Sequence, residues 1–337
     1  MTAPLSIISA GMVTAVGLDA PSSCAAMRAR LDGFQETRFL GPDGDRLIGA
    51  PVPLPRNWMG EKRLAHMAAA AIVEAFDAVP EARGRTALIL CLAEEGRPGR
   101  QAPDSQQLLI KIEQIAEIGS PIPTRVVAHG RPSGHVALDA ARRLLVSRAA
   151  AFVMIVGVDS YLTAQCISHY LERDRLLTKK NSNGFIPGEA AAAILCAPSG
   201  GRVRLTGLGL AREKAPIYNE ADIPFRGEGM ATAYKDAFAG SGCLHSDVTL
   251  KMGDLVGETY WFQQTALAML RTQRERSPVQ PIWTLGGSLG NIGAAAVPAM
   301  LGWALAAMER GYAPSGPILV EASGDDGACG AAVVAAK

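Results

Sequence analysis

The segment Gly184–Ala192 reads GFIPGEAAA and runs directly into a continuous apolar stretch, Ala191–Cys196. Glycine and proline punctuate turns, and a short apolar run that follows a turn is typical of a buried β-strand. Upstream, Val153–Ser160 reads VMIVGVDS, whose Val and Ile residues favour a second strand. A helix-like pattern at Tyr161–Asp174 separates the two. This strand–helix–strand arrangement predicts an α/β protein.

The same alternation continues outward in both directions along the chain. Strands are predicted at Leu5–Ala10, Thr86–Leu92, Arg125–Ala128, Phe152–Val158, Ala191–Cys196, Val203–Leu210, Val248–Met252, Ile282–Leu285, Ile318–Ala322 and Ala331–Ala335. Helices are predicted at Lys62–Ala78, Ser105–Glu117, Gly134–Arg148, Tyr161–Asp174, Gly229–Phe238, Glu258–Arg274 and Gly293–Arg310. Short strands separated by helices indicate βα units around largely parallel sheets, so the pattern predicts a doubly wound α/β fold.

Residues 1–198 and 199–337 are the two halves of this pattern. Each half supplies about five strands with helices between them, and no linker rich in proline, glycine or serine separates the halves. A chain of 337 residues is long enough for two intimately packed domains with substantial cores. We therefore predict an internal duplication packed into one body.

Bulk composition argues against nucleic-acid binding and membrane insertion. The formal net charge is +1, with 19% charged residues, whereas a nucleic-acid binder normally carries a basic face. The opening MTAPLSIISAG lacks a basic n-region and a cleavable apolar core, so it predicts the first strand of a cytoplasmic protein rather than a signal peptide. The uncharged stretch Ser277–Met308 is interrupted by glycines and prolines, which favours a strand, a glycine turn and a buried helix over a membrane span.

The sequence predicts neither a metal site nor a bound cofactor. The six cysteines are Cys24, Cys91, Cys166, Cys196, Cys243 and Cys329. They form no CxxC pair and no histidine stands at zinc-ligand spacing, so buried structural thiols are expected. The glycine-rich segment Gly286–Ala295 lacks the GxxxxGK[ST] pattern of a phosphate-binding loop.

Five segments, in the right order along the chain, resemble the β-ketoacyl synthases. They are IISAGMVTAVGLDAPSSCAAMRA (Ile7–Ala29), VMIVGVDS (Val153–Ser160), GFIPGEAAA (Gly184–Ala192), GGSLGNIGAA (Gly286–Ala295) and ASGDDGACGAAVV (Ala322–Val334). The third is the most specific and is similar to a loop that crosses between the halves of those enzymes. The resemblance implies a thiolase-like five-layer αβαβα sandwich of two duplicated halves, usually dimerised through the strand that here is Arg125–Ala128.

The resemblance also implies chemistry for which this sequence lacks the nucleophile. Decarboxylative condensation on an acyl carrier protein needs a thiolate at a helix N-terminus, where the helix dipole lowers its pKa. The family's cysteine position falls at Gly130, within AHGRPSGH, and no cysteine occurs between Cys91 and Cys166. Cys166 and Cys329 lie near the expected cleft but not at such a turn, so structural burial is favoured for both.

The two histidines that would stabilise the developing negative charge in the family are missing as well. The first is expected in GDLVGE, where Asp254 and Glu258 are the polar residues, and a carboxylate does not donate a hydrogen bond when ionised. The second is expected at Gly287 in GGSLG, and the family's lysine falls near Ile282. Residues that act as a unit contribute little once all of them are gone.

His129 and His135 flank the former nucleophile turn and are the remaining catalytic candidates. With Asp254, Glu258, Asp325 or Asp326 nearby, they suggest general acid–base catalysis on a thioester. The alternative is that His129 caps or packs a turn and that His135 sits on a helix face. We favour this structural interpretation for both histidines.

The sequence therefore predicts a ketosynthase-fold pseudoenzyme that acts as a protein-binding or accessory subunit. Two classes of protein resemble it: chain-length factors, which pair with an active ketosynthase, and accessory proteins encoded beside type VI secretion effectors and their adaptors. The short length and the loss of every catalytic position fit the second class better. Expected partners are a second copy or a related thiolase-fold subunit, an acyl carrier protein, or a secretion effector or adaptor. The alternative is a β-ketoacyl synthase-related acyltransferase of fatty-acid or polyketide synthesis.

Overall fold

The structure is a computed structural model that describes residues 5–55, 57–118, 124–273 and 280–336. Its strands are β1 (Leu5–Val13), β2 (Gln35–Leu40), β3 (Arg46–Gly49), β4 (Thr86–Cys91), β5 (Arg125–Val127), β6 (Phe152–Ser160), β7 (Glu189–Ala197), β8 (Val203–Arg212), β9 (Leu250–Gly253), β10 (Ile282–Thr284), β11 (Ile318–Ser323) and β12 (Ala328–Ala336). Its helices are α1 (Ala20–Arg28), α2 (Gly60–Asp77), α3 (Ser105–Ile115), α4 (Ser133–Val146), α5 (Ala164–Glu172), α6 (Glu228–Ser241), α7 (Thr259–Thr272), α8 (Gly286–Leu289) and α9 (Ala296–Glu309).

The strand order is symmetric about the middle of the sheet. Ten strands follow one another as β10-β9-β11-β12-β8-β1-β7-β6-β4-β5, and β2 pairs with β3 in a separate hairpin. β4 runs parallel to β5 and β6, as β9 does to β10 and β11. β7 and β12 are antiparallel to both of their neighbours. The sheet thus contains two copies of one five-stranded pattern, joined where residues 5–7 of β1 meet residues 203–205 of β8.

Helices cover both faces of each copy and separate the two copies from each other. α2 packs on β1, β6 and β7, with α3 beside it, while α6 packs on β8 and β12, with α7 beside it. α4 and α9 contact each other and also strands from both copies, so they form the middle layer. α9 is buried nearly all round, as its almost entirely apolar sequence requires. This order of layers confirms the predicted αβαβα sandwich.

Glycines allow the outer helices to approach the first strand of each copy. A Cβ added at Gly11 of β1 would lie 2.0 Å from the carbonyl oxygen of Ala71 in α2. A Cβ added at Gly209 of β8 would lie 1.9 Å from the carbonyl oxygen of Ala233 in α6. The same close backbone contact therefore occurs in both copies, and no residue larger than glycine fits there.

The predicted elements are confirmed, with bounds that differ by a few residues. α5 begins at Ala164 rather than Tyr161 because the Thr163 hydroxyl accepts a hydrogen bond from the Cys166 N–H at 3.2 Å and caps the helix. α9 begins at Ala296 because the preceding residues form a 3₁₀ turn. The predicted end of α7 at Arg274 lies outside the described residues. Within residues 280–308, the uncharged stretch forms β10, α8 and α9, as predicted.

The hairpin of β2 and β3 was not predicted from the sequence, because its strands are short and mostly exposed and so lack an apolar run.

Throughout the part of the chain that the structure describes, no helix combines the length and the apolar character needed to cross a membrane.

We propose that residues 1–198 and 199–337 are the two copies of the duplicated unit. The boundary falls between β7, the last strand of the first copy along the chain, and β8, the first strand of the second copy. Both copies begin with a strand that an outer helix approaches over a glycine.

Replacing Gly209 with alanine should destabilise the protein by about 2 kcal/mol or more, because the new methyl group meets a backbone carbonyl that cannot rotate away. Gly287→Ala is the matched control, since no atom lies within 4 Å of a Cβ added there. Urea unfolding of both variants measures the effect. Equal free energies of unfolding for the two variants would contradict the close contact between β8 and α6.

Candidate functional site

Gly130, which the sequence predicts to stand at the nucleophile position, lies in a turn just before α4. Its φ of +62° is in the left-handed region, which favours glycine. Its N–H donates to the Leu92 carbonyl at 3.0 Å, and its carbonyl accepts from the Ser133 N–H at 3.0 Å. A Cβ added at Gly130 would lie 2.0 Å from Oε1 of Glu94. The carboxyl group of Glu94 therefore occupies the space into which a nucleophilic side chain would project.

Glu94 combines a buried carboxyl group with access to a cleft. Burial raises the pKa of Glu94, and the nearby Arg97 guanidinium opposes that shift. A guanidinium nitrogen of Arg97 lies 3.8 Å from a carboxylate oxygen of Glu94. The guanidinium donates its hydrogen bonds to Asp159, with which it forms a buried ion pair. Asp159 also accepts a hydrogen bond from the Ala294 N–H at 3.1 Å. This chain of contacts links the Gly130 turn to the glycine-rich turn before α9.

Arg131, the residue after Gly130, is the centre of a buried charge cluster. Only 1% of the residue is exposed, and its guanidinium lies 3.9 Å from the ring centroid of Trp261. Its nitrogens lie 3.4 Å from a carboxylate oxygen of Asp254 and 3.3 Å from one of Asp325. A buried guanidinium needs this neutralisation, because a charge without a partner is very costly in the protein interior.

Arg175 extends the cluster to the other side of Asp325. It donates to both carboxylate oxygens of Glu258, at 2.6 and 2.9 Å, and to Asp325 at 2.6 Å. The Tyr170 hydroxyl donates to Asp325 at 3.2 Å, and Arg175 donates to the Tyr218 hydroxyl at 2.7 Å. Two arginines of the first half thus bind three carboxylates of the second half.

The carboxylates of this cluster differ in the direction of their pKa shifts. Burial raises the pKa of Asp254 to about 6, against the opposing effect of Arg131. Burial acts in the same direction on Asp325, but Arg175 and Arg131 together outweigh it and hold the pKa of Asp325 below its ordinary value. Asp325 is therefore ionised at neutral pH and accepts hydrogen bonds only, so it cannot replace a histidine donor.

The two histidine candidates lie in different environments. His135 is fully buried in α4, its Nε2 is 3.1 Å from the Val320 carbonyl oxygen, and burial lowers its pKa to about 4. It packs against Gly330, where a Cβ would lie 2.5 Å from its ring. His129 is exposed, and its backbone N–H donates to the Ser133 hydroxyl at 2.9 Å. These contacts support the structural interpretation of His135, whereas the His129 side chain faces a cleft.

The cleft has a volume of about 1270 Å³ and is bordered by the end of β5. His129, Glu94 and Arg97 line it from the first half, and Asp325 and Asp326 line it from the second half. Asp326 lies at its outer rim and forms an ion pair with Arg212 at 3.0 Å. Of the charged residues in the cluster around Arg131 and Arg175, Asp325 is the one that lines this cleft.

Gly287 is not brought together with Gly130 and Asp254. It is exposed and lines a separate depression with Arg28 and Trp283. Its assignment as the second histidine position stays a prediction without support from the geometry. The part of the glycine-rich segment that approaches the site is the turn at Ala294, through its hydrogen bond to Asp159.

The cysteines offer no activated thiol in this region. Cys166 and Cys329 are 1% and 2% exposed, and burial raises the pKa of each to about 12. Both thiols are therefore protonated at neutral pH and are weak nucleophiles. Among the described residues, no group of three or more His, Cys, Asp or Glu side chains could hold a metal ion.

Sequence reasoning missed the arginines that organise the site. Arg97, Arg131 and Arg175 each donate hydrogen bonds to a carboxylate that is 62 to 194 residues away along the chain. The available signal was that Arg131 directly follows the predicted nucleophile position, three residues before the predicted helix Gly134–Arg148. The sequence analysis named Asp254, Glu258 and Asp325 as polar residues of the region but did not predict their arginine partners.

Comparison of the structure with solved structures shows a ketosynthase-like fold. A ketosynthase (ApeO) in complex with its chain length factor (ApeC) from Xenorhabdus doucetiae superposes with a TM-score of 0.80 at 14% identity, covering 99% of this chain and 98% of that one. AntDE:AntF, a type II PKS acyl-carrier protein in complex with its ketosynthase, gives 0.81 at 14% identity with full coverage of both chains. The ketosynthase from module 6 of the bacillaene synthase from Bacillus subtilis 168 gives 0.78 at 12% identity, covering 99% of this chain and 72% of that one.

No protein-family model matches the sequence, and no curated protein matches it by sequence. The structural likeness nevertheless extends over essentially the whole chain. The thiolase-like fold that the five sequence segments imply is thereby confirmed.

The pH dependence of stability should reveal the buried Asp254. Its folded-state pKa of about 6 is higher than that of an unfolded aspartate, so the folded protein loses stability as the pH rises from about 4 to about 6. Relative to Asp254→Asn, the wild-type protein should lose on the order of 3 kcal/mol over this interval. Urea unfolding at a series of pH values measures the difference.

Asp326→Asn is the control for this experiment, because it removes the same charge from the exposed rim of the cleft. If the difference in free energy of unfolding between the wild type and Asp254→Asn stays constant from pH 4 to pH 7, Asp254 is not held in a desolvated environment.

Proposed function

We propose that this protein is a non-condensing subunit with a ketosynthase-like fold that pairs with a second thiolase-fold subunit, in the manner of a chain-length factor. The observation that carries the proposal is the Glu94 carboxyl group in the space of the nucleophilic side chain, beside Gly130. A ketosynthase requires a thiolate there. In this chain a carboxyl group with a raised pKa takes its place.

The charge cluster supports the loss of condensing activity independently of the nucleophile. Condensation needs neutral or cationic donors aimed at the developing oxyanion. Asp254 stands at the expected position of the first histidine, and its neighbour Arg131 is held between two carboxylates. The Arg131 guanidinium donates a hydrogen bond to Asp325 and does not line the cleft, so we infer that the region stabilises the fold.

β5 is the edge that we assign to the thiolase-fold partner. The Leu92 N–H donates to the Val127 carbonyl at 2.9 Å, so the backbone N–H and carbonyl of Val127 point toward β4. Because these directions alternate along a strand, the backbone groups of Val126 point away from the sheet. Because unpaired apolar edges promote association, a partner strand is expected to cover this one. Ketosynthase/chain length factor assemblies among the similar structures favour the same kind of partner.

Two other partners follow from the sequence resemblance and rank below a thiolase-fold subunit. An acyl carrier protein accompanies the ketosynthase in one similar structure, and the cleft beside β5 has room for a carrier's prosthetic arm. The proposal that a type VI secretion effector or adaptor is the partner rests on the loss of the catalytic positions alone.

The second candidate function is an acyltransferase related to the β-ketoacyl synthases, and the cleft is the observation that favours it. A volume of about 1270 Å³ beside Gly130 would accommodate an acyl thioester. His129 and Glu94 are the side chains that line it with acid–base capacity. This alternative requires a measurable reaction with an acyl thioester, which the following experiment tests.

Neither the wild-type protein nor Gly130→Cys should form β-ketoacyl product. In Gly130→Cys the side chain meets Glu94 and must adopt a φ of +62°, and each missing oxyanion donor costs about 10²–10³ in rate. Incubation with acyl-CoA and acyl-carrier protein, followed by intact-mass measurement and product analysis, tests both proteins. An active ketosynthase is the positive control.

The double variant Glu94→Ala with Gly130→Cys distinguishes steric access to the new thiol from condensing activity. Removal of the carboxyl group frees space for the thiol, so alkylation by iodoacetamide should increase, while condensation should remain absent. Product formation by either cysteine variant, or a stoichiometric acyl adduct on the wild-type protein, would favour the acyltransferase.

Val126→Pro should abolish pairing at the β5 edge, because it removes the outward N–H while leaving the β4–β5 hydrogen bonds in place. Light scattering of the protein, alone and co-expressed with thiolase-fold or other neighbouring gene products, should show a dimer that this variant loses. Thr284→Pro at the opposite edge of the sheet is the matched control and should leave the dimer intact. A monomer under all of these conditions would contradict the proposed pairing.

A further inference from the structure

The strand β10 pairs with β9 on one side and is an edge strand of the sheet among the described residues. The Lys251 N–H donates to the Pro281 carbonyl at 3.0 Å, so this carbonyl points toward β9. Because backbone directions alternate along a strand, the backbone groups of Ile282 and Thr284 point away from β9. Within the described ranges, these outward groups have no hydrogen-bond partner. Ile282 is 43% exposed. An edge of this kind is a template for an added strand.

An aromatic cleft of about 450 Å³ lies directly beside this edge. Trp283 of β10 stacks on Trp303 of α9, with ring centroids 4.9 Å apart and an angle of 27°. Tyr312 stacks on Trp283 at 6.0 Å and 28°. Trp303 is 5% exposed and Trp283 is half-buried, so the indole of Trp283 is held in place while part of its surface faces the cleft. Such a cleft accepts a large apolar or aromatic side chain.

The charge around the cleft is positive. Arg28 and Arg30 line it and are both exposed, and the Arg28 guanidinium lies 4.3 Å from the ring centroid of Tyr312. Neither arginine forms an ion pair with a described residue, and no Asp or Glu is among the described residues that line the cleft. Unpaired arginines beside a strand edge are complementary to carboxylates.

We propose that β10 and this cleft bind an extended acidic segment of a partner protein. The segment adds as a strand along β10 and receives hydrogen bonds at Ile282 and Thr284. It places an aromatic or large apolar side chain against Trp283, and its carboxylates pair with Arg28 and Arg30. This surface is separate from β5, which lies at the other end of the sheet, so both partners can be bound at once.

A second copy of this chain is a poorer occupant of the same surface. Two β10 strands that paired with each other would bring Arg28 and Arg30 of one copy near the same arginines of the other. Like charges that face each other across an interface oppose association, whereas an acidic segment removes this repulsion.

The test uses a fluorescent nine-residue peptide in which glutamate alternates with valine around a central phenylalanine, and the full-length protein at low ionic strength. Anisotropy should show binding of this peptide, and the same peptide with lysine in place of glutamate should not bind. Arg28→Glu combined with Arg30→Glu should weaken binding about tenfold, because two ion pairs are replaced by repulsion. Arg202→Glu with Arg204→Glu changes the net charge equally at exposed positions outside the cleft and should leave binding unchanged.

Hydrogen exchange distinguishes strand addition from attraction by charge alone. The peptide should protect the amides of Ile282 and Thr284, and Thr284→Pro should weaken binding, while Val126→Pro at the β5 edge should not. Absence of binding, binding without protection of these amides, or equal binding by the two double variants would overturn the proposal. Dimerisation that Thr284→Pro abolishes would also overturn it, by assigning the edge to a second copy. A wild-type protein that binds the peptide in this way but never dimerises through β5 would contradict the proposed function and leave this proposal intact.

Discussion

Arg131 lies buried over the ring of Trp261, between the carboxylates of Asp254 and Asp325, and the whole region around the former nucleophile turn depends on this arrangement. Desolvation of one guanidinium costs several kcal/mol, so the charge persists in the interior only because both carboxylates accompany it. Asp325 is shared with Arg175, which couples the two arginines. Removal of Asp325 would take a carboxylate partner from both arginines at once.

We propose that this network changes what the fold does at its centre. In a ketosynthase the loops that meet here must leave a thiol and its donors free to react. In this chain the same loops are tied together by ion pairs between the first and second halves, and Glu94 fills the space beside Gly130. The scaffold is retained, whereas the polar groups are used to hold the halves together.

The duplication also gives the molecule two equivalent sheet edges with different chemistry. β5 is apolar and borders the large cleft, while β10 carries Trp283 and lies beside unpaired arginines. Because each edge strand has three residues, backbone pairing alone provides few hydrogen bonds. Selectivity between partners therefore depends on the side chains that flank each edge.

The sequence by itself determined the alternation of strands and helices, because apolar runs such as Val153–Ser160 and the surrounding turn residues act locally. It also determined the absence of a cysteine at Gly130, since residue identity requires no folding. The exposed hairpin of β2 and β3 carried too little apolar signal to be predicted. Only the tertiary structure decided which charges meet: Arg131 and Asp325 are 194 residues apart, and no local pattern encodes their pairing. It also decided that Glu94 fills the nucleophile's space and that Gly287 lies elsewhere, because both depend on how separate loops pack.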